Sequence, residues 1–278
     1  MSLTGKAETE QYKPDEYTQV HLVLTTYRED PARHALFVAM LESLAAQTRV
    51  PAVLWLMDEG SGPPSNGGTT NDGAAQQPLS SSRGARLRPP LPDVRGMLAG
   101  TEIELGAICQ SGGRIGQAGQ FNRGYALVED AVRQSSWPYR TYLVKLEDDF
   151  EFTEFWLRKL ISVWHSPDFA THNIGMLGGA NGERGPVVEI AGHPVRLTFH
   201  VAGGCMFAPL ALWRQYLPIP NRGRRDEQGG PTPTAAVADW HITRRSTTSV
   251  LAYGRRCGQL KDLLIHRGGG QSTWRDSE

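Results

Sequence analysis

Apolar residues in this chain come in short dense runs separated by polar, glycine-rich punctuation. Residues 20–26, with Val20, Leu22, Val23 and Leu24, have the apolar density of a buried parallel strand. Residues 33–47 follow with Leu36, Phe37, Met40, Leu41 and Leu44 at helical spacing, a β-α opening. A second buried strand over 52–57 stops at Asp58. The same pattern predicts a strand over 102–109, a helix through 132, a strand over 140–146 and a helix over 153–164. A short strand over 174–177 comes next, then a hairpin over 187–201 that turns at Gly192, His193 and Pro194. Helices over 209–216 and from 235 toward 250 complete the series. Strands alternating with helices in the first half argue for an α/β fold whose parallel sheet carries helices on both faces; the second half reads as mixed.

Residues 1–18 lack an apolar period and read as a flexible leader, which leaves 19–278 as a single domain. Within it, residues 61–100 change sharply to Gly, Pro, Ser, Asn and Arg and read as a mobile insertion. Charge narrows the functional classes. The 278 residues carry 29 basic and 29 acidic side chains. With no basic stripe interleaved with aromatics, nucleic acid is not an expected partner. Arg222, Arg224 and Arg225 cluster in a Pro/Gly/Arg-rich loop that meets an anionic ligand or solvent. No apolar run approaches the roughly 20 residues of a membrane span, and the first residues lack a signal peptide's apolar stretch, so a soluble cytoplasmic protein without a transmembrane segment is expected. Cys109, Cys205 and Cys257 are far apart and form no Cys-x-x-Cys pair, so they read as reduced thiols.

One stretch points to chemistry. The apolar strand over 140–146 runs directly into Glu147, Asp148 and Asp149, with Glu151 two residues on. Adjacent carboxylates at a sheet edge are costly unless a cation neutralises them. The carboxyl ends of strands in open α/β sheets are where ligands bind, so a divalent metal with a bound phosphate suits this position. An acidic turn before the following helix is the alternative use of the same residues.

Four motifs then fall in a telling order: Thr25-Thr26-Tyr27-Arg28-Glu29, Asp58-Glu59-Gly60-Ser61, Gly116 through Gly124, and Glu147-Asp148-Asp149. In that order, at predicted strand ends within the first 150 residues, they resemble nucleotide-sugar glycosyltransferases of the GT-A fold, especially glycosyltransferase family 2. The resemblance implies a Rossmann-like, mainly parallel mixed sheet. Residues 19–150 would form its nucleotide-sugar-binding half, and residues 151–278 the half that binds the acceptor and carries the base. It implies that Thr25, Thr26, Tyr27 and Glu29 contact the nucleotide and that Asp58 accepts from the uracil N–H, where a charged acceptor makes a strong hydrogen bond. A turn or helix cap is the other role open to Asp58. In the third motif Asn122 and Gly124 match, while Phe121 stands where the family carries arginine. Arg114 or Arg123 would then supply the cation near the diphosphate.

By the same resemblance Asp149 binds the metal, with Glu147 and Asp148 holding the ribose and metal-bound water. His266, after an apolar run, stands where many such enzymes place a second ligand. A nitrogen ligand favours Mn2+ over Mg2+. Asp239 lies where the family keeps its catalytic carboxylate, and a helix cap is its alternative role. The implied reaction is metal-dependent, inverting transfer of one sugar from a nucleoside diphosphate sugar, most readily a UDP-sugar, to a hydroxyl of a small molecule, peptide or lipid. A nucleotide-sugar-binding module without chemistry and a sugar nucleotidyltransferase are the rivals. Trp213, Trp240 and Trp274 either stack on an acceptor or fill the core.

Overall fold

The computed structural model describes residues 18–28, 31–58, 89–111, 116–135, 140–179, 184–201, 204–219, 224–225, 231–232, 242–243, 249–261 and 263–266. Its first half runs β1 (Thr18–Thr26), α1 (Pro31–Gln47), β2 (Ala52–Asp58), α2 (Val94–Leu98), β3 (Ile103–Gln110), α3 (Gly116–Gln134) and β4 (Arg140–Glu147). The second half runs β5 (Phe150–Phe152), α4 (Trp156–His165), a 3-10 turn (Pro167–His172), β6 (Ile174–Gly179), β7 (Val187–Ile190), β8 (His193–Thr198), β9 (Cys205–Pro209) and α5 (Leu210–Tyr216). Short strands β10 (Arg224–Arg225) and β11 (Pro231–Thr232) precede β12 (Arg256–Leu260) and β13 (Leu264–His266).

Nine strands form one sheet in the order β3-β2-β1-β4-β9-β6-β12-β8-β7. The pairings from β3 through β4 are all parallel. Beyond β4 the sheet mixes directions, and only β9 and β8 oppose the rest. This is the expected mixed, mainly parallel α/β architecture. Alternate residues of the central strands divide between two cores. Leu22, Leu24, Leu54, Leu56, Val144 and Leu146 pack with α1, α2 and α4 on one face. Val23, Trp55, Met57 and Leu143 pack with α3 and α5 on the other. Burial on both faces is why these strands read as continuous apolar runs.

The approach of α3 to the sheet depends on Gly124. A Cβ there would sit 2.5 Å from Val23 Cγ1, on a side chain that is itself fully buried. Gly124→Ala is therefore expected to destabilise the protein by roughly 1–3 kcal/mol through overpacking. Its gain in helix propensity, about 1 kcal/mol, offsets only part of this. A denaturant midpoint equal to or above that of the parent would contradict the close packing.

Several expectations shift. Residues 89–100, expected within the insertion, contribute to the fold: Val94 and Leu98 are buried in the α1-side core, and the Pro89 and Pro90 carbonyls accept from Arg28. The remainder of the expected insertion, the leader through residue 17 and most of the helix expected over 235–250 lie outside the described residues. Strands β9 and β12 carry no periodic pattern, yet they occupy the middle of the sheet. Trp213 is fully buried, donates to the Leu143 carbonyl at 2.8 Å and packs on Phe121, so it belongs to the core. Trp240 and Trp274 lie outside the described residues. All three cysteines are free. Among the described residues no helix is long and apolar enough to cross a membrane.

Candidate active site

Parallel pairing brings four polar strand ends side by side. Thr26 of β1 is in register with Asp58 of β2, Asp58 with Gln110 of β3, and Thr25 with Glu147 of β4. Asp148 follows immediately and is tied across to β1: its Oδ2 accepts from the Thr26 hydroxyl at 2.6 Å and from the Tyr27 backbone N–H at 3.1 Å. The Thr25 hydroxyl donates to the Leu146 carbonyl at 3.2 Å. Thr25, Thr26 and Tyr27, expected at the nucleotide, hold the acidic turn against the first strand. Burial pushes the Asp148 carboxyl above its ordinary value, while Arg33 and the Thr26 hydroxyl pull it down.

Each acid of the cluster has its own cationic or polar neighbour. Glu147 Oε1 accepts from Lys145 Nζ at 2.6 Å and also from the Gln117 side-chain amide. Lys145 is fully buried in mid-strand. A buried ammonium is tolerable only when paired, and Glu147 is its partner at the strand end. Asp149, largely buried, lies 3.7 Å from Arg33 of α1. Arg33 is buried because it shares a helical face with Phe37, Met40, Leu41 and Leu44, which carries it to the carboxyl edge of the sheet.

The third motif sorts by helical face. Gln117 and Gln120, one turn apart at the start of α3, are buried toward the strand ends, Gln120 donating to the Thr26 carbonyl at 3.5 Å. Phe121 is fully buried against Trp213, so the position that carries arginine in the resembling family faces the core here. Asn122 spends its amide on the Ile219 backbone, donating at 2.7 Å and accepting at 2.9 Å, and so pins the chain after α5. Arg123 is exposed on the helix surface, and Arg114 lies outside the described residues.

Asp58 is buried, and three N–H donors hold its side chain. Arg28 grips it by two N–H groups, Nε to Oδ1 at 3.3 Å and Nη2 to Oδ2 at 2.7 Å, while Gln110 Nε2 adds a donor to Oδ2 at 3.0 Å. Arg28 Nη1 donates onward to the Pro89 and Pro90 carbonyls at 3.0 and 3.2 Å.

Strand pairing also places β13. β13 lies antiparallel to β5, with His266 opposite Phe150, the residue after Asp149. On that backbone ladder His266 is paired with the residue that follows the other expected ligand. Among the described residues no group of three or more His, Cys, Asp and Glu side chains is gathered to hold a metal. Glu29 and Asp239 lie outside the described residues. Arg28 and Gln117 stand inside the first and third motifs without an expected role, and Arg33, Gln110 and Lys145 carry none either. Lys145 alone was conspicuous, as a single charge inside an apolar strand.

No family model matches the chain, and no curated relative matches it. Among solved structures, the mannosyltransferase PcManGT from Pyrobaculum calidifontis, in complex with GDP-Man and Mn2+, aligns over 93% of this chain and 59% of its own, at 12% identity and a TM-score of 0.50. The structure of S. aureus TarS 1–349 aligns over 90% of this chain and 61% of its own, at 12% identity and a TM-score of 0.47. The chain thus spans about three fifths of the length of these structures. The likeness to PcManGT is one of fold, and it bears out the glycosyltransferase-like α/β architecture that the four motifs implied.

Proposed function

We propose that this protein is a metal-dependent, inverting glycosyltransferase that moves one sugar from a nucleoside diphosphate sugar, a UDP-sugar first, to an acceptor hydroxyl. The observation that carries the reading is the tying of Asp148 to Thr26 and Tyr27, which sets the acidic turn beside the end of β1 at the carboxyl edge of the sheet. Ligands of open α/β sheets bind along that edge. The shared fold with PcManGT, a structure that holds GDP-Man and Mn2+, supports the donor class and a divalent metal.

The residues present fit such an ion. A hard divalent cation keeps several waters and takes one or two protein ligands together with phosphate oxygens, so a cluster of three protein ligands is not required. Asp149 and His266 would hold it, Mn2+ being favoured over Mg2+ by the imidazole. When bound, the ion acts as a Lewis acid that neutralises charge on the departing diphosphate. Everything else falls to the chain. The base lies against the ends of β1, β2 and β3, where Thr25, Thr26, Tyr27, Glu29 and Asp58 form its surroundings. Glu147 and Asp148 would hold the ribose and the water around the ion. Arg114 or Arg123 faces the diphosphate, and Asn122 holds the chain after α5 in place. Asp239 accepts the acceptor's hydroxyl proton as its oxygen bonds to the anomeric carbon. The bond from that carbon to the diphosphate oxygen breaks, and the diphosphate leaves with the electron pair.

Phe121, buried where the resembling family carries arginine, favours one second reading, a sugar-nucleotide-binding module without chemistry. Detectable transfer to an acceptor, or donor hydrolysis, excludes it.

Thermal unfolding against UDP, GDP, CDP and dTDP, each with and without Mn2+, tests the reading directly. A nucleotide at about 100 times its dissociation constant adds roughly 2.7 kcal/mol, which should raise the midpoint by several degrees. The expected result is a rise with UDP that needs Mn2+. A flat response to all four nucleotides would remove the donor site.

A further inference from the structure

The proposed base site has an acid that the base cannot approach directly. The Asp58 side chain has no exposed surface, and three donors already occupy it: Nε and Nη2 of Arg28 and Nε2 of Gln110. Gln110 differs from Asp58 in being exposed, at the last position of β3, directly beside Asp58 in the sheet. A carboxylate accepts and does not donate, so Asp58 fixes which end of the Gln110 amide it faces: Nε2 turns inward, and Oε1 turns away from it. One amide N–H is spent on Asp58. The other, beside Oε1, forms an edge of one donor and one acceptor.

We propose that Gln110 is the residue that reads the nucleobase, and that Arg28 and Asp58 act through it as positioning residues. This rests on the donor-site reading above. The amide edge matches the imide of uracil, whose N3–H donates to Oε1 while a flanking carbonyl accepts from Nε2. The Arg28 grip makes the arrangement rigid, because two parallel N–H···O bonds fix the carboxylate plane and the carboxylate fixes the amide. Arg28 is itself anchored by the Pro89 and Pro90 carbonyls and by stacking over the Phe37 ring at 5.6 Å. The amide therefore loses little freedom when a base docks, which is where preorganisation adds affinity.

The test is titration calorimetry of UDP, GDP and inorganic pyrophosphate, all with Mn2+, against the parent protein, Gln110→Ala and Gln110→Glu. Gln110 is exposed, so both variants should fold. Gln110→Ala is expected to weaken UDP about tenfold, the loss of two hydrogen bonds, and to leave pyrophosphate within twofold. Gln110→Glu gives Asp58 no N–H and sets a second carboxylate beside it, so the amide edge and its anchor are both lost and UDP should weaken at least as much as in Gln110→Ala. Unchanged UDP affinity in Gln110→Ala, or an equal loss of UDP and pyrophosphate, overturns the assignment of Gln110. A parent protein that binds none of the three overturns the donor-site reading itself, and the assignment with it.

Discussion

Asp149→Ala is expected to abolish the Mn2+-dependent rise in unfolding temperature with UDP and to lower sugar transfer by about a thousandfold. The magnitude follows from the role: metal neutralisation of a leaving diphosphate is worth several kcal/mol, and each 1.36 kcal/mol is a factor of ten. Asp149 sits one residue before β5, whose pairing with β13 brings His266 alongside, so the substitution removes one of only two proposed protein ligands. The fold should survive. Arg33 loses a neighbour 3.7 Å away but keeps the charge of Asp148 close by. The control is therefore internal: the apo midpoint stays near that of the parent while the response to metal disappears. Retained Mn2+-dependent binding in this variant would mean that another group holds the ion.

Asp239→Asn should behave in the opposite way, leaving donor affinity intact while kcat falls about 100-fold or more. An asparagine matches the shape of aspartate but cannot take a proton, so the loss appears only where the acceptor hydroxyl is deprotonated. Further along, Ile242 and Thr243 are buried, and the Thr243 hydroxyl pairs with His200 Nδ1 at 2.8 Å. The decisive comparison is kcat against KM for the donor. A normal kcat would assign the base to a different group, and a raised donor KM with unchanged kcat would make Asp239 a donor contact.

Much of the first half could be read along the chain because its information is local. The runs over 20–26, 52–57 and 140–146 are apolar on both faces, and each stops at a polar residue that proves to be a strand end: Thr26, Asp58 and Glu147. The helix over 33–47 was visible from its stripe, although the stripe also carries Arg33 into the core edge, a consequence that counting apolar residues passes over. The second half was less legible. β9, at Cys205–Pro209, and β12, at Arg256–Leu260, are short and unpatterned, and they become strands because β4, β6 and β8 offer them partners from distant parts of the chain.

The candidate site divides in the same way. Sequence by itself determined the acidic turn at Glu147, Asp148 and Asp149, the acid at the end of β2 and the α/β alternation that puts them at one edge, since residue type and strand period are properties of consecutive positions. Tertiary structure alone decided what each acid meets. Lys145 reaches Glu147, Thr26 reaches Asp148 across 122 positions, Arg28 closes on Asp58, and Arg33 comes within 3.7 Å of Asp149. Apart from the Lys145–Glu147 pair, these contacts join segments far apart in the chain, and a buried charge takes its counter-charge from whichever element the sheet register sets beside it.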